Sequence, residues 1–408
     1  MNKKRLMILA SSGRPFREYH FAAMSAVADL ILVDTRELTW QKPYLGGHRH
    51  ADPHDRAAVS RIVAEERPDG LVTYDDALVE TVAEVAREHG LPHTDPAAVR
   101  LCKDKAALRA RLTDAGLGPV RFAVVQTEEE ALSAAADIGW PVVLKPRDLG
   151  GSVGVVRVDD AAQLREHYNT AAGLRDRYGD PSGPAGLLVE EYLDGPEFSV
   201  DSLTWQGKTR PLFVAEKRLG PAPYFEEVGH VVPASPRPEF DEALDLVVAA
   251  HKAARLDNLV THTEFRLTGK GPRIIEINVR LGGDLIPHLG LLATGIDLSA
   301  ATAQVALGEV PDLTPDRSVT AAVTMLYPPH DMTFRRLRPT VDTAELVGLR
   351  LLGPTVPPGS ELRLPPAGFR SRAGFAVVTG DSRAECLARL DAVAASVVIE
   401  GEALPTPV

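Results

Sequence analysis

The 408-residue sequence predicts a mixed α/β (α+β) fold, with a small parallel sheet first and antiparallel sheets after it. Three observations predict this. Residues 5–100 alternate short apolar runs with amphipathic stretches, residues 141–204 carry a glycine-rich turn between strand-forming segments, and residues 260–280 read as two β-rich runs around a Gly/Pro turn. An apolar share of 44% and a charged share of 25% suit a globular chain. At roughly 100–200 residues per domain, the length suits two to four domains.

The apolar runs at 6–10, 30–34 and 71–74 each end in polar or small residues, and amphipathic stretches lie near 16–28, 54–66 and 77–89. That βαβαβ rhythm predicts a parallel sheet covered by helices. Ligands of such sheets sit at the carboxyl ends of the strands, which Ser11, Ser12, Gly13, Asp34, Thr35, Asp75 and Asp76 follow. No G-x-G-x-x-G follows the first run, so a dinucleotide site and a dehydrogenase are disfavoured. Residues 103–117 read as one helix ended by Gly116 and Gly118. Pro141 opens a strand at 142–145, and the turn Asp148-Leu149-Gly150-Gly151-Ser152-Val153-Gly154 leads to a strand ending at Val158. A helix near 160–178, a Pro/Gly loop at 180–186 and a strand at 187–191 complete a ββαβ unit with a long mobile tip. A strand at 198–204, a helix at 240–255, strands at 321–326 and 374–379 and a helix at 382–397 follow.

A net charge of −11 argues against a nucleic-acid or anionic-membrane surface. Cys102 and Cys386 are the only cysteines, which disfavours a disulfide framework or cysteine zinc site and favours a cytoplasmic location. The apolar stretch 6–10 is too short for a signal peptide or membrane span. The histidine-rich residues 47–54 fit no zinc spacing and read as a polar loop. Asp75-Asp76 could meet an amine, with a helix N-cap at least as good a reading.

The segment 260–280 carries the chemistry. With its hairpin symmetric about Lys270, Glu264 lies opposite Glu276. Strand alternation puts Glu276, Asn278 and Arg280 on one face and Ile275, Ile277 and Val279 on a core face. Two facing carboxylates destabilise a sheet unless a cation lies between them. With an amide oxygen they form a hard oxygen set suited to Mg²⁺ and phosphate. Arg280 could take a phosphate oxygen or developing charge. Lys145, just before the glycine-rich turn, can reach phosphates, and Gly150, Gly151 and Gly154 let backbone N–H groups approach an anion. No Walker A pattern occurs.

These residues, in their order and spacing, resemble the ATP-grasp superfamily over about residues 100–300. The resemblance implies an amino-terminal domain at 1–100, an ATP-grasp domain at 101–315 with a lid at about 120–190, and a carboxy-terminal α/β subdomain at 316–408 packed on the core. It implies ATP and magnesium as cofactors, with more than one ion and manganese as an alternative. Lys105 and Lys145 would touch the phosphates under a lid formed by Gly150, Gly151 and Ser152. Glu190 would accept from the adenine amino group, with Glu191 beside it, the backbone of Tyr192 and Leu193 would meet the ring, and Glu197 would contact the ribose. Glu264, Glu276 and Asn278 would hold the metal, and Arg280, Lys145 and Glu276 would be catalytic. Asn278-Val279-Arg280-Leu281-Gly282-Gly283-Asp284 and the segment from Phe225 to His230 resemble the L-amino acid ligases, including bacilysin-type and carnosine-synthase-like enzymes. By that match Glu227, His230, Arg280, Gly282 and Gly283 would hold substrate. The activity implied is joining a small carboxylate to an amine, with a homodimer left open. The alternatives are an ATP-grasp carboxylase or formate-type transferase, which the segment 374–381 resembles equally, and a non-catalytic nucleotide-binding module.

Overall fold

Arg5–Leu9 has the sequence RLMIL, apolar on both faces, as suits a parallel strand covered from both sides. In the computed structural model, which describes residues 3–178, 183–365 and 367–405, it pairs in parallel with Asp29–Val33 and Gly70–Val72. Leu6 and Ile8 pack with Phe21 and Met24 of the helix Arg14–Val27, while Met7 and Leu9 pack with Val59 and Val63 of the helix Arg56–Glu66. A fourth strand, Leu45–Arg49, pairs with Asp29–Val33 at the sheet edge. It takes in part of the stretch read as a polar loop; its sequence, LGGHR, has no apolar run to announce a strand.

The helix expected over 103–117 is Lys105–Asp114, and Lys103 instead ends a separate helix, Pro96–Lys103. Asp104 breaks them: its backbone is extended and its carboxylate caps the second helix through the Ala106 N–H. Lys105 thereby becomes the first residue of a helix.

The ββαβ unit has one more strand and helix than expected. Phe122–Val125 and Glu128–Ile138 precede it, and the sheet order is Phe122–Val125, Leu187–Glu191, Val142–Pro146, Val156–Val158. The helix Ala161–Tyr178 packs on this sheet, and positions 180–182 of the expected Pro/Gly loop lie outside the described residues.

An eight-stranded sheet forms the centre. Its order is Gly271–Asn278, Leu259–Thr268, Glu197–Trp205, Lys208–Leu219, Glu227–Val232, Thr320–Leu326, Gly374–Gly380, Leu349–Pro354, antiparallel throughout. The ladder therefore runs across position 316 without a break. One face packs Phe198, Val200, Phe265 and Leu267 against Ala243 and Val247 of the helix Phe240–Ala253. The apolar helices Ile286–Thr294 and Leu298–Ala306 tie the sheet to the amino-terminal unit through a shared core.

Candidate active site

Alternation along Glu197–Trp205 sends Phe198 and Val200 into the core and Glu197, Ser199 and Asp201 to the opposite face. Register carries that polar face across the sheet. Glu264 lies between Ser199 and Glu276, His262 between Asp201 and Asn278, and Arg266 beside Glu197. Ala215 pairs with Ser199, so Lys217 shares the face, with His230 paired to it.

The Glu264–Glu276 pairing is reached by a different route from the symmetric hairpin. Thr268 pairs with Gly271 across Gly269 and Lys270, and a bulge after Glu264 shifts the register by one residue. Ile275 is the extra residue. The bulge turns it to the cleft, and Ile274 takes the core position expected for it. The disturbed ladder is held by Arg109, whose guanidinium donates to the Ile274 carbonyl and, at 2.8 Å, to that of Ile275.

The same Arg109 donates through Nε to Glu190 Oε1 at 2.7 Å, and Lys145 Nζ lies 2.5 Å from Glu190 Oε2. Burial alone would raise the Glu190 pKa, but Arg109 and Lys145 bring it down to about 2. Burial also pushes the Lys145 pKa down, despite Glu190. Both Glu190 oxygens thus have a cation beside them, at the position expected to meet an adenine amino group. Glu197, expected at the ribose, also has cations beside it: Lys217 Nζ is 2.7 Å from Oε1 and Arg266 Nε donates to Oε2 at 2.9 Å. Glu191 pairs with Arg121, the Tyr192 ring lies 4.4 Å from the Arg157 guanidinium carbon, and the Leu193 carbonyl accepts from Arg266.

Lys217 is the centre of the face. Its ammonium lies 2.7, 3.1 and 2.8 Å from oxygens of Glu197, Glu227 and Glu264. Burial opposes its charge, and the three carboxylates overrule that and lift its pKa well above the lysine range. Lys105 Nζ sits 3.2 Å from Glu276 Oε2 and donates to the Leu149 carbonyl at 2.7 Å, tying the sheet to the lid. Burial opposes the Lys105 charge, and Glu276 outweighs it and raises the pKa. Burial would raise that of Glu276; Lys105 and the Asn278 N–H bring it to about 2. Asn278 Nδ2 donates to Glu276 Oε1 at 2.9 Å, while its Oδ1 accepts from Arg280 at 3.4 Å. Arg280 Nε lies 3.2 Å from Asp76.

A second cluster adjoins the first. Glu227 Oε2 and Asp284 Oδ2 lie 3.3 and 3.5 Å from Nε2 of His230, which is fully buried. The second oxygens are held elsewhere: Glu227 Oε1 by Lys217, Asp284 Oδ1 by Arg372 at 2.5 Å. Burial disfavours a charged His230, but Asp284 and Glu227 raise its pKa, and that of Asp284 falls to about 2 beside Arg372 despite burial. The three inward-facing atoms lie within 4.8 Å of one another, a setting for one cation. Gly282 lets the chain pass close by, since a Cβ there would lie 2.8 Å from His262 Nδ1. Asp284 and Leu285 adopt left-handed backbone (φ 50° and 66°) to turn into the next helix.

A cleft of about 680 Å³ brings together Lys105, Lys145, Gly151, Ser152, Glu190 to Leu193, Glu197, Glu227, Glu264 and Glu276. Gly150, Arg280, Gly282, Gly283, His230 and Asn278 do not line it. Gly151 and Ser152 form the lid tip with φ of 66° and 58°, against Arg370. Residues that sequence reading passed over are Arg109, Lys217, Arg266 and Arg372, and Asp284 was read only as part of its loop. Arg109, one helical turn after Lys105, and Arg266, two residues after Glu264, had periodicity as a signal. Asp284 and Arg372 are 88 residues apart, and nothing local marks their pairing.

A family model for the ATP-grasp domain matches residues 138–288. The chain is 31% identical over 300 residues to the phosphoribosylamine–glycine ligase of Streptomyces coelicolor, covering 69% of this chain and 68% of that protein. It is 32% identical over 287 residues to human carnosine synthase 1, covering 65% of this chain and 34% of that one, so it spans about a third of that relative's length. Its fold is similar to the crystal structure of an L-amino acid ligase from Bacillus licheniformis, with a TM-score of 0.82, 22% identity, and coverage of 98% of this chain and 100% of that one.

Proposed function

Because this chain belongs to the ATP-grasp family, we propose that it is an ATP-dependent ligase that joins a carboxylate to an amine through an acyl-phosphate. The observation that carries the reading is the pairing of Glu264 with Glu276 on a polar sheet face, with Lys105, Lys145 and the glycine-rich tip across the cleft. Relatives named as ligases of glycine and as carnosine synthase support it.

The residues suit a magnesium site. Glu264 and Glu276 offer hard oxygens from facing positions, and Lys217 and Lys105 balance their charge until a metal arrives. Asn278 would complete the set by presenting Oδ1, which here accepts from Arg280. Bound there, magnesium supplies charge neutralisation for phosphate oxygens. Lys105 and Lys145 add to that neutralisation and orient the γ-phosphate. Glu190, paired with Arg109, holds the Lys145 ammonium in place beside the adenine pocket, and the backbone of Tyr192 and Leu193 meets the nucleotide ring.

A substrate carboxylate oxygen attacks the γ-phosphorus and ADP departs, leaving an acyl-phosphate beside Arg280. The amine nitrogen then attacks the acyl carbon, phosphate leaves with the bonding pair, and the nitrogen gives up a proton. Positioning and charge account for most of this catalysis. Closure of the tip through the contact of Lys105 with Leu149 keeps water from the intermediate. Glu227 and Asp284 present converging carboxylate oxygens beside His230, which fits the ammonium of an amino acid as the acid substrate. Dipeptide or natural-product amide synthesis is the role this supports.

The test is phosphate release from ATP with magnesium, screened over pairs of amino acids and other carboxylates with mass detection. Release that requires both partners, a product of their summed mass less water, and a fall of at least ~100-fold in Glu276→Gln are expected. Turnover with bicarbonate or formate alone would move the protein to the carboxylase or transferase branch.

A further inference from the structure

The two facing carboxylates of the sheet are held alike, each by one lysine and one residue of its own strand. Glu276 has Lys105 and Asn278, whose Nδ2 donates to Oε1 at 2.9 Å. Glu264 has Lys217 at Oε2 and, two residues before it, His262, whose Nε2 lies 3.6 Å from Oε1. His262 and Asn278 pair across the ladder, so these two partners stand side by side. On the other strand beside Glu264, Ser199 has a buried hydroxyl with no hydrogen-bond partner among the described residues, so it does not hold the carboxylate.

His262 is itself held. Asp201, its register partner on the adjoining strand, is fully buried, and its two oxygens lie 3.3 and 3.4 Å from Nδ1. Among the described residues no other cation pairs with Asp201. Gly282 closes in from a further direction, since a Cβ there would also lie 3.2 Å from Asp201 Oδ1. With Nδ1–H donating to Asp201, the ring cannot turn, and Nε2 stays aimed at Glu264. Ion pairs taken out of water add little to stability, so stability is a poor reason for burying this one beneath the site.

Lys217 has Glu197 and Glu227 to turn to when a metal takes its place at Glu264. His262 then remains as the partner that fixes the carboxylate. Carboxylates that ligate metals are commonly oriented by such neighbours. The geometry points to Asp201 and His262 as the pair that positions Glu264 for the metal, with the Gly282 loop seated on the same ring. The inference rests on the ligase reading and its magnesium site. It adds two positioning residues, neither of which lines the nucleotide cleft, and gives the substrate loop and the metal ligand a common support.

Metal binding, read apart from turnover, tests the pair. Mn²⁺ bound beyond that held by ADP alone is followed by the EPR signal of the free ion, and ADP binding without metal by calorimetry. His262→Asn keeps a donor towards Asp201 and loses the one aimed at Glu264. It should raise the Mn²⁺ Kd ~10- to 100-fold while metal-free ADP affinity stays within ~2-fold. His262→Gln, whose amide reaches towards the Nε2 position, should retain part of the metal affinity. Gly282→Ala should weaken it in the same direction by pressing on the ring. If the unpaired Asp201 charge unfolds the single variant, the double change Asp201→Asn with His262→Asn leaves no buried charge and carries the same expectation. Mn²⁺ affinity equal to the parent's in the Asn variants would overturn the positioning pair and leave the ligase reading standing. Equal losses of ADP and Mn²⁺ binding would make the pair structural and overturn it as well. Parent protein that binds ADP but takes up no Mn²⁺ beyond the nucleotide's own would overturn the magnesium site and the inference together.

Discussion

The two walls of the cleft are built on opposite terms. On the central sheet every charge named here is held by others: Lys217 by three carboxylates, Glu276 by Lys105 and Asn278, Glu197 by Lys217 and Arg266. On the lid, the tip is glycine, with left-handed backbone at Gly151, Ser152 and Gly154. On the ligase reading, the sheet wall needs fixed side chains because metal and phosphate geometry tolerates little error. The lid wall needs backbone that can approach and leave.

The largest break in this contrast should come from Lys217→Met. Three carboxylates would be left facing one another in a buried setting, and removal of one partner from such a network costs ~3–5 kcal/mol. Denaturant unfolding should show that loss together with loss of ligation; a variant as stable as the parent would mean that the sheet wall does not depend on its central cation.

A smaller effect is expected at Glu190, whose pKa lies near 2 rather than the usual 4.5. A depressed carboxylate pKa gives stability that is present above the unfolded value and lost as pH falls through the folded one. Glu190→Gln should therefore flatten the acid limb of the stability curve between about pH 4.5 and 2, while weakening ATP binding through a displaced Lys145. Unfolding free energies across the acid range would sharpen the comparison, and an unaltered acid limb would remove Glu190 from it.

The smallest effects belong to the lid. Gly151 has φ of 66° and a Cβ there would lie 2.9 Å from Arg370, whereas nothing lies within 4 Å of a Cβ on Gly150. Gly151→Ala should raise KM for ATP by ~5-fold, and Gly150→Ala should change it by less than ~2-fold. Steady-state kinetics on the pair distinguishes a conformational demand from mere glycine content.

Much of the rigid wall could be read in the chain, because period-two alternation is local. Glu264 facing Glu276 required only two adjacent strands and a turn. Lys217 could not be placed, because its partners lie on three other strands and their register is set by the whole sheet. The break at Asp104 went unread because Lys103, Lys105 and the alanines after them are all good helix formers, and a single capping carboxylate decided the matter. Leu45–Arg49 was missed for the reverse reason: an edge strand needs little apolar surface. The cations beside Glu190 and Glu197, which are Arg109, Lys145, Lys217 and Arg266, come from several elements and could not be read from the local pattern.

The bulge after Glu264 has a consequence for how the chain can be altered. Because the register is reset there and Arg109 grips the two carbonyls at the reset, the tip at Gly269 and Lys270 is mechanically insulated from the acidic pair. Residues added at that tip can lengthen the hairpin outward without sliding Glu276 past Glu264. The turn is thus a natural port for a reporter loop or a fused partner.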